Sequence, residues 1–390
     1  EFEFLAHVEW ELPMVKTLRK NLVSRWGYTE DDAKKTVIHF DMQKTSELIH
    51  GKWSDETINE YSKHNDKNII NSGLLGLSNN KPIDIIIGGP PCQAYSIAGR
   101  AQDPDSMKFD YRNYLFESFV EVVKSLKPKV FVFENVPGIL SAKPGDKLVI
   151  ERIYEAFKEI GYIIRKPKKM KSSTYSSADY NVPQKRNRVI IFGVKKEYED
   201  LLEKLYSSLD KVKSNKPEKT VRDAIGFLPK LLPIENHYKE GRSNISHEAT
   251  DENTYSMHSP RYHNARDIKA FKKWISNDMN NVSSREKLDF YFHVTGKRSN
   301  HNKYRNLEWD KPSPTIVAHL YKDGLMFIHP DVEQLRSITV REAALLQSFP
   351  IDYEFIGSQA SAYKMIGNAV PVQFAKKIAE AIVNVFKEGL

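Results

Sequence analysis

Short runs of β-branched and aromatic residues recur along this chain, at LAHVEW (5–10), TVIHFDM (36–42), IDIII (83–87), KVFVFE (129–134) and RVIIFGV (188–194). Runs of this length and composition, bounded by polar residues, read as strands. Between several of them the apolar residues recur at three-and-four spacing, in YLFESFVEVVKSL (114–126) and in KLVIERIYEAFKEIG (147–161), the latter closed by Gly161. Strands alternating with helices predict an α/β fold with a doubly wound, mostly parallel sheet. The polar, Asn-rich segment 51–82 reads as an insertion between strands. From about 197 to 335 the strand pattern gives way to Asn, Ser, His, Lys and Arg, as in HEATDENTYSMHSPRYHNARD and TGKRSNHNKYRN, which marks a second, smaller domain. After Pro330 regular signals resume, with a helix beginning near TVREAALLQSF (339–349) and stopped by Pro350, then an amphipathic final helix, QFAKKIAEAIVNVFK (373–387). The expected organisation is a catalytic domain at 1–196, a small domain at 197–335, and a return to the first at 336–390.

Charge and cysteine content narrow the function. Lys and Arg total 59 against 51 Asp and Glu, a net charge of +8, which favours a polyanionic partner, nucleic acid before a membrane surface. No apolar stretch approaches the roughly 18 residues of a membrane span, and the opening residues lack the order of a signal peptide. A cytoplasmic protein with no membrane partner is expected. The chain has one cysteine. It cannot build an internal disulfide framework, and a reducing compartment leaves the thiol free to react.

That thiol, Cys92, lies in GGPPCQAYSIAGR (88–100), just past the carboxyl end of a strand, the edge where ligands of open α/β sheets gather. Pro90 and Pro91 forbid helix there, and the Gly-containing loop that follows reads as a lid. Glu134 holds the matching place at the carboxyl end of the next strand, beside Asn135. Further on, Arg186 and Arg188 stand two apart as a strand begins, so in an extended chain they share a face. Taken singly, each has an ordinary explanation: a buried inert thiol, a capping acid, a solvated cationic edge.

In combination these residues resemble the DNA cytosine-C5 methyltransferases of bacterial restriction-modification systems. PCQ (91–93), ENV (134–136), QKRNR (184–188), RSITVREAALLQSFP (336–350) and GNAVP (367–371) are similar to five blocks of that family in the same order, with weaker matches at VEWE (8–11), FDM (40–42) and DYRNYLF (110–116). The resemblance implies methyl transfer from S-adenosylmethionine to C5 of a flipped-out cytosine in a specific duplex DNA sequence, through a covalent adduct of Cys92 with C6, and no metal. It assigns Glu134 to the N3 edge of the base, Arg188 to its O2 side, and Arg186 to supporting the site. Glu9, Trp10, Asp41, Met42, Pro90, Asn368 and Ala369 are expected at the cofactor. Gln93, Ser96, Arg100 and Gln184 are expected at the DNA, and Lys297, Arg298, Lys303 and Arg305, with the KPKKMK run (166–171), are candidates for gripping phosphate. The small domain becomes a target-recognition domain. A monomer acting alongside a restriction endonuclease is the expected assembly.

The chain departs from the family at its start. The family opens with a strand and a Gly-rich turn of the type FxGxGG, whereas this sequence begins EFEFLAHVEW, at what resembles the second strand. The first strand is therefore expected to be missing from this chain, with the native start about two dozen residues upstream. Two other functions stay open at this point: a catalytically silent, sequence-specific DNA-binding module, favoured by the absent turn, and an RNA cytosine-5 methyltransferase. His247, His258 and His263 invite a metal reading, but no paired acids or cysteines stand at ligand spacing around them.

Overall fold

Every apolar run above forms a strand in the computed structural model, which describes residues 2–79, 81–90, 115–322 and 324–389. The strands are β1 (His7–Glu9), β2 (Val37–His39), β3 (Ile85–Gly88) and β4 (Val130–Asn135), then the short β5 (Tyr162–Ile164), β6 (Thr174–Ser176) and β7 (Gln184–Lys185), and the long β8 (Asn187–Lys195). Chain contacts divide the protein into two units. The first comprises 1–176, 187–213 and 377–390, the second 177–186 and 214–376.

In the first unit a five-stranded sheet runs β3-β4-β8-β5, with β6 also paired to β8. β3 and β4 are parallel, Gly88 opposite Phe133. β8 runs antiparallel to β4, β5 and β6, so four strands point one way and one opposes them. All of β4 except Glu134 is buried, as an inner strand covered on both faces requires. Helices Leu115–Leu126 and Val149–Glu159 close one face, where Phe119, Phe131, Phe133, Ile153 and Phe157 form a cluster and Phe131 stacks on Phe157 at 4.1 Å between ring centres. Gly193 of β8 fits beneath this cluster because a Cβ there would stand 2.1 Å from the Phe131 ring.

The expected single sheet is two sheets. Parallel strands β1 and β2 form a separate pair, and among the described residues β3 has only β4 as a neighbour. The outer edge of β3 leaves Ile87 63% exposed. Ile38, Phe40, Trp53, Tyr61 and Ile69 make a second core under β2, to which Ala6 and Ile86 contribute. Trp53, Tyr61 and Ile69 come from the segment first taken for an insertion. It folds into helices Asp55–Tyr61 and Lys67–Ser78, capped by Ser54 and Asp66, whose side chains accept from Thr57 N and Asn68 N.

The second unit departs furthest from expectation. Its polar sequence hides a hairpin, β9 (Leu231–Glu240) with β10 (Ser243–Ala249), and helices Ala265–Ser276 and Ser284–Thr295. Both helices carry side-chain N-caps, Asn264 and Ser283, and Ser283 with Glu286 forms a capping box, a local signal that the charged surroundings mask. Only Ala270, Phe271 and Trp274 of the first helix are buried, too few to register as a periodic pattern. The unit extends through residue 376, past the boundary expected at 335, while 187–213 belongs with the first unit.

The physical reason lies in RSITVREAALLQSFP. Helix Val340–Leu346 is capped by Thr339, whose backbone N–H donates to Glu342 at 2.7 Å. The Glu342 carboxylate also accepts two bonds from the Arg336 guanidinium, each 2.7 Å, with both side chains 1% exposed. Buried histidines surround this pair. His258 donates from Nε2 to the Pro229 carbonyl and faces the Thr339 hydroxyl at 3.1 Å, His263 accepts from Ser337 N, and His247 faces Ser246. The helix expected to run to Pro350 ends at Leu346, because Ser348 adopts a left-handed φ of 59°.

Among the described residues no helix is long and apolar enough to cross a membrane. Burial, and then Arg336, lowers His329 to about 3; burial, with Arg336 second, takes His247 to about 4; burial also lowers His258 and His263. Burial pushes the Glu342 carboxyl up, but Arg336 overrides it and the net shift is well down. A depressed folded pKa contributes stability that is present above the unfolded value and lost as pH falls. The histidine contribution therefore starts to decline below about pH 6.5, by up to about 1.4 kcal/mol per pH unit for each ring. Protection of amides within 329–346 relative to their intrinsic exchange rates, followed by mass spectrometry between pH 7.5 and 5, is expected to fall on acidification well before carboxylates titrate. Exchange rates that show only the intrinsic pH dependence of amides would contradict this.

Candidate functional site

Parallel pairing of β3 with β4 sets their carboxyl ends side by side, and Asn135 secures them. Its buried side chain donates to the Pro90 carbonyl at 3.3 Å and accepts from Val136 N at 2.9 Å. Pro90, expected at a cofactor, is here buried and held by that bond. At the same edge Glu134 pairs with Arg188, Oε1 to Nε, at 2.7 Å, their side chains 17% and 12% exposed. Arg188 reaches this edge because β8 is antiparallel to β4, so the start of β8 lies at the end of β4, Asn135 opposite Val189. A second bond, from Nη1 to the Asn187 carbonyl at 2.7 Å, orients the guanidinium. Gly89 completes the edge, its position leaving 3.1 Å between a notional Cβ and Glu134 Oε2. Such a carboxylate and guanidinium present an acceptor and a donor fork to a polar planar ligand. Cys92, Gln93, Ser96 and Arg100 lie outside the described residues, Cys92 two positions beyond Pro90 in sequence.

Elsewhere in the first unit, Glu9 and Asp41 follow parallel strands β1 and β2. Each stiffens its turn by accepting a backbone N–H, Glu9 from Glu11 at 2.8 Å and Asp41 from Gln43 at 2.9 Å. Trp10, tied through its carbonyl to the His39 ring at 2.9 Å, leaves its indole 58% exposed. An exposed ring just after β1, with carboxylates at the ends of two paired parallel strands, suits a nucleoside: one surface for stacking, acceptors for hydroxyl and amino groups. Met42 is partly buried and packs against both apolar clusters of the unit.

In the second unit the first three residues of the block QKRNR, QKR (184–186), have a role that sequence reasoning did not assign. Gln184, expected at DNA, is fully buried. Its amide accepts from Ile316 N at 2.9 Å and donates to Gln347 Oε1 at 2.9 Å. Gln347 passes the chain on, donating to the Ile366 carbonyl at 2.6 Å and that of Ala369 at 3.3 Å. Gln184 is therefore an internal strut, buried and bonded at both ends of its amide. Arg186, also buried, donates to the carbonyls of Ile316 at 2.9 Å and Gly367 at 2.8 Å. The two arginines thus have different partners, and Arg188 is the one paired with Glu134. Together Gln184, Gln347 and Arg186 hold the GNAVP turn, leaving Asn368 exposed at the end of helix Gln359–Asn368 and Ala369 half-buried. Gln347 was legible only as part of a helix, because its partners are distant in sequence.

Lys297, Arg298 and Arg305 are exposed and Lys303 half-buried, in the stretch after helix Ser284–Thr295, with Arg298 lying over the Phe292 ring at 5.6 Å. The lysines of KPKKMK are exposed on a 3-10 turn anchored by buried Met170. His247, His258 and His263 belong to the buried network around Arg336 and Glu342.

Residues 37–384 match the profile of the C-5 cytosine-specific DNA methylase family. The chain is 34% identical to the type II methyltransferase M.Bpa9945I of Bacillus paralicheniformis, over 99% of this chain and 94% of that one. It is 33% identical to the type II methyltransferase M1.HphI of Haemophilus parahaemolyticus, over 80% and 71%. Among solved structures it is similar to a putative DNA modification methyltransferase encoded within an Escherichia coli prophage, with a TM-score of 0.55 at 21% identity over 97% of this chain and 92% of that one. It is also similar to the Dnmt2 methyltransferase of S. pombe, with 0.51 at 14% identity over 99% and 92%. At these identities the structural likeness is one of fold.

Gly367 tolerates no side chain, since a Cβ would stand 2.2 Å from Ala318 N. Gly367→Ala is expected to lower stability by about 1–3 kcal/mol, the scale of overpacking, read as a fall in the denaturant midpoint; an unchanged midpoint would show that the turn yields freely.

Proposed function

The chain belongs to the C-5 cytosine-specific DNA methylase family, and from that premise we propose that it methylates C5 of a flipped-out cytosine in a specific duplex DNA sequence, with S-adenosylmethionine as donor. The observation that carries this reading is the Glu134–Arg188 pair at 2.7 Å, at the carboxyl edge of the sheet where Pro90 is also fixed. C5 of cytosine is too weak a nucleophile to take a methyl unaided. Addition of the Cys92 thiolate at C6 forms a C–S bond and pushes the ring π electrons toward C5 and N3. Glu134, at the N3 edge, donates a hydrogen bond or proton as negative charge grows there, and Arg188 holds the O2 side. Guanidinium charge beside a thiol increases its thiolate fraction at neutral pH. Once C5 is methylated, loss of its proton and expulsion of the Cys92 thiolate restore the aromatic ring. C6 of a stacked base is out of reach of a thiol, so the base leaves the helix first, at a cost of about a few kcal/mol.

Trp10, Glu9 and Asp41 fit the nucleoside part of the donor, which supplies an electrophilic methyl when bound. Trp10 stacks on the adenine, Glu9 takes ribose hydroxyls and Asp41 the adenine amino group, with Met42 alongside. Arg186 acts as a support for the GNAVP turn. We assign the second unit to target recognition, with Lys297, Arg298, Lys303 and Arg305 at phosphate. The enzyme acts as a monomer in the cytoplasm, paired in function with a restriction endonuclease.

Cys92→Ser is expected to abolish methyl transfer while sparing DNA binding, because a hydroxyl is a far weaker nucleophile at neutral pH. Duplexes with 5-fluorocytosine at the target are expected to form a denaturant-stable adduct through Cys92; a complex that dissociates fully in denaturant would sink the covalent mechanism. Glu134→Gln is expected to slow turnover by about a hundredfold or more, measured in single-turnover transfer of labelled methyl.

A further inference from the structure

The hairpin of the second unit is built unlike anything around it. Its base is anchored: Leu231 N donates to the Gln334 side chain at 3.0 Å, and Ser246 and His247 are buried. Pairing at the base puts His247 opposite Pro233, then resumes with Ile245 opposite Tyr238, so residues 234–237 bulge out opposite Ser246. A bulge of this kind bends a ribbon and aims what lies beyond it. Past the bulge come three pairs, Tyr238 with Ile245, Lys239 with Asn244, Glu240 with Ser243, closed by the two-residue turn Gly241-Arg242 with Gly241 at φ 58°. From 238 to 244 every residue is exposed. A two-stranded ribbon with neither face covered is marginally stable by itself, so this one is shaped for something outside the protein.

Strand alternation sorts its side chains. Lys239 and Asn244 share one face, with Arg242 at the tip; Tyr238 and Glu240 take the other. The first group holds hydrogen-bond donors and two positive charges, and the acid lies on the opposite side. Three pairs and a turn project roughly 10–13 Å at about 3.3 Å per residue. The major groove of duplex DNA is about 12 Å wide and 8.5 Å deep, and it accepts a two-stranded ribbon. We propose that this outer hairpin enters the major groove and selects the target sequence, with Arg242 reading guanine, Asn244 reading adenine and Lys239 at guanine or phosphate. The proposal rests on the reading of the chain as a DNA methyltransferase. It places specificity here, ahead of the basic stretch 297–305, where Lys and Arg set affinity.

The test uses the full chain with Arg242→Ala, Asn244→Ala and, as a control on the opposite face, Glu240→Gln. Methylated sites on plasmid DNA are mapped by bisulfite sequencing, with KM for DNA and for S-adenosylmethionine measured beside kcat. Preference for the cognate site over single-base variants is expected to fall by roughly ten- to a hundredfold in the first two proteins, with KM for S-adenosylmethionine and the Glu240→Gln protein unchanged. Undiminished selectivity in both Arg242→Ala and Asn244→Ala would overturn the proposal. So would unchanged selectivity joined to altered sedimentation, which would give the ribbon to a second copy of the chain. If the parent protein methylates no DNA, the proposed function falls, and selection of duplexes from a random library by parent and variants still decides the ribbon.

Discussion

The reversal of one strand governs the chemistry of the first unit. Because β8 runs against β4, the residues that begin it lie at the carboxyl edge of the sheet, and Arg188 meets Glu134 there. A parallel β8 would have carried its first residues to the opposite edge. Both side chains are mostly shielded from water, where a fixed acceptor and donor fork act more strongly on a ligand than they would in bulk solvent. Asn135 contributes the remaining constraint by tying the end of β4 to Pro90.

The second unit buries a network of polar groups around Arg336 and Glu342. An ion pair taken out of water is costly unless its remaining bonds are filled. Arg336 and Glu342 fill theirs with Gln334, Ser337 and Thr339, and neutral histidines pack around them. The Gln184–Gln347 relay is a milder instance, two amides bonded to each other and to four backbone groups. Such networks specify geometry more than they add stability, since any slip leaves a polar atom unpaired. Here they define a fixed GNAVP turn and a fixed hairpin base.

The blocks that carried the family resemblance therefore divide by role. Glu134 and Arg188 offer functional groups at an edge. Gln184, Arg186, Arg336, Glu342 and Gln347 are buried and bonded within their own unit, and the region between blocks, where no motif was legible, holds an exposed two-stranded hairpin. Residue type alone does not separate these cases, because an arginine in a groove and one buried against carbonyls look alike in a string of letters.

What the sequence determined by itself was local. A run of β-branched residues has few conformations open to it, so five strands, the helices after β3 and β4, and the final helix were legible, as was the placing of Glu134 at the carboxyl end of a strand. Capping at Asn264 and Ser283 was equally local, yet lost among charged neighbours. The direction of β8, the split into two sheets and the partners of each buried polar group were decided by tertiary structure. Arg186 finds its carbonyls 130 and 181 residues away, and no periodicity encodes a contact at that separation. Such partners are chosen when the chain closes on itself and every buried donor must find an acceptor.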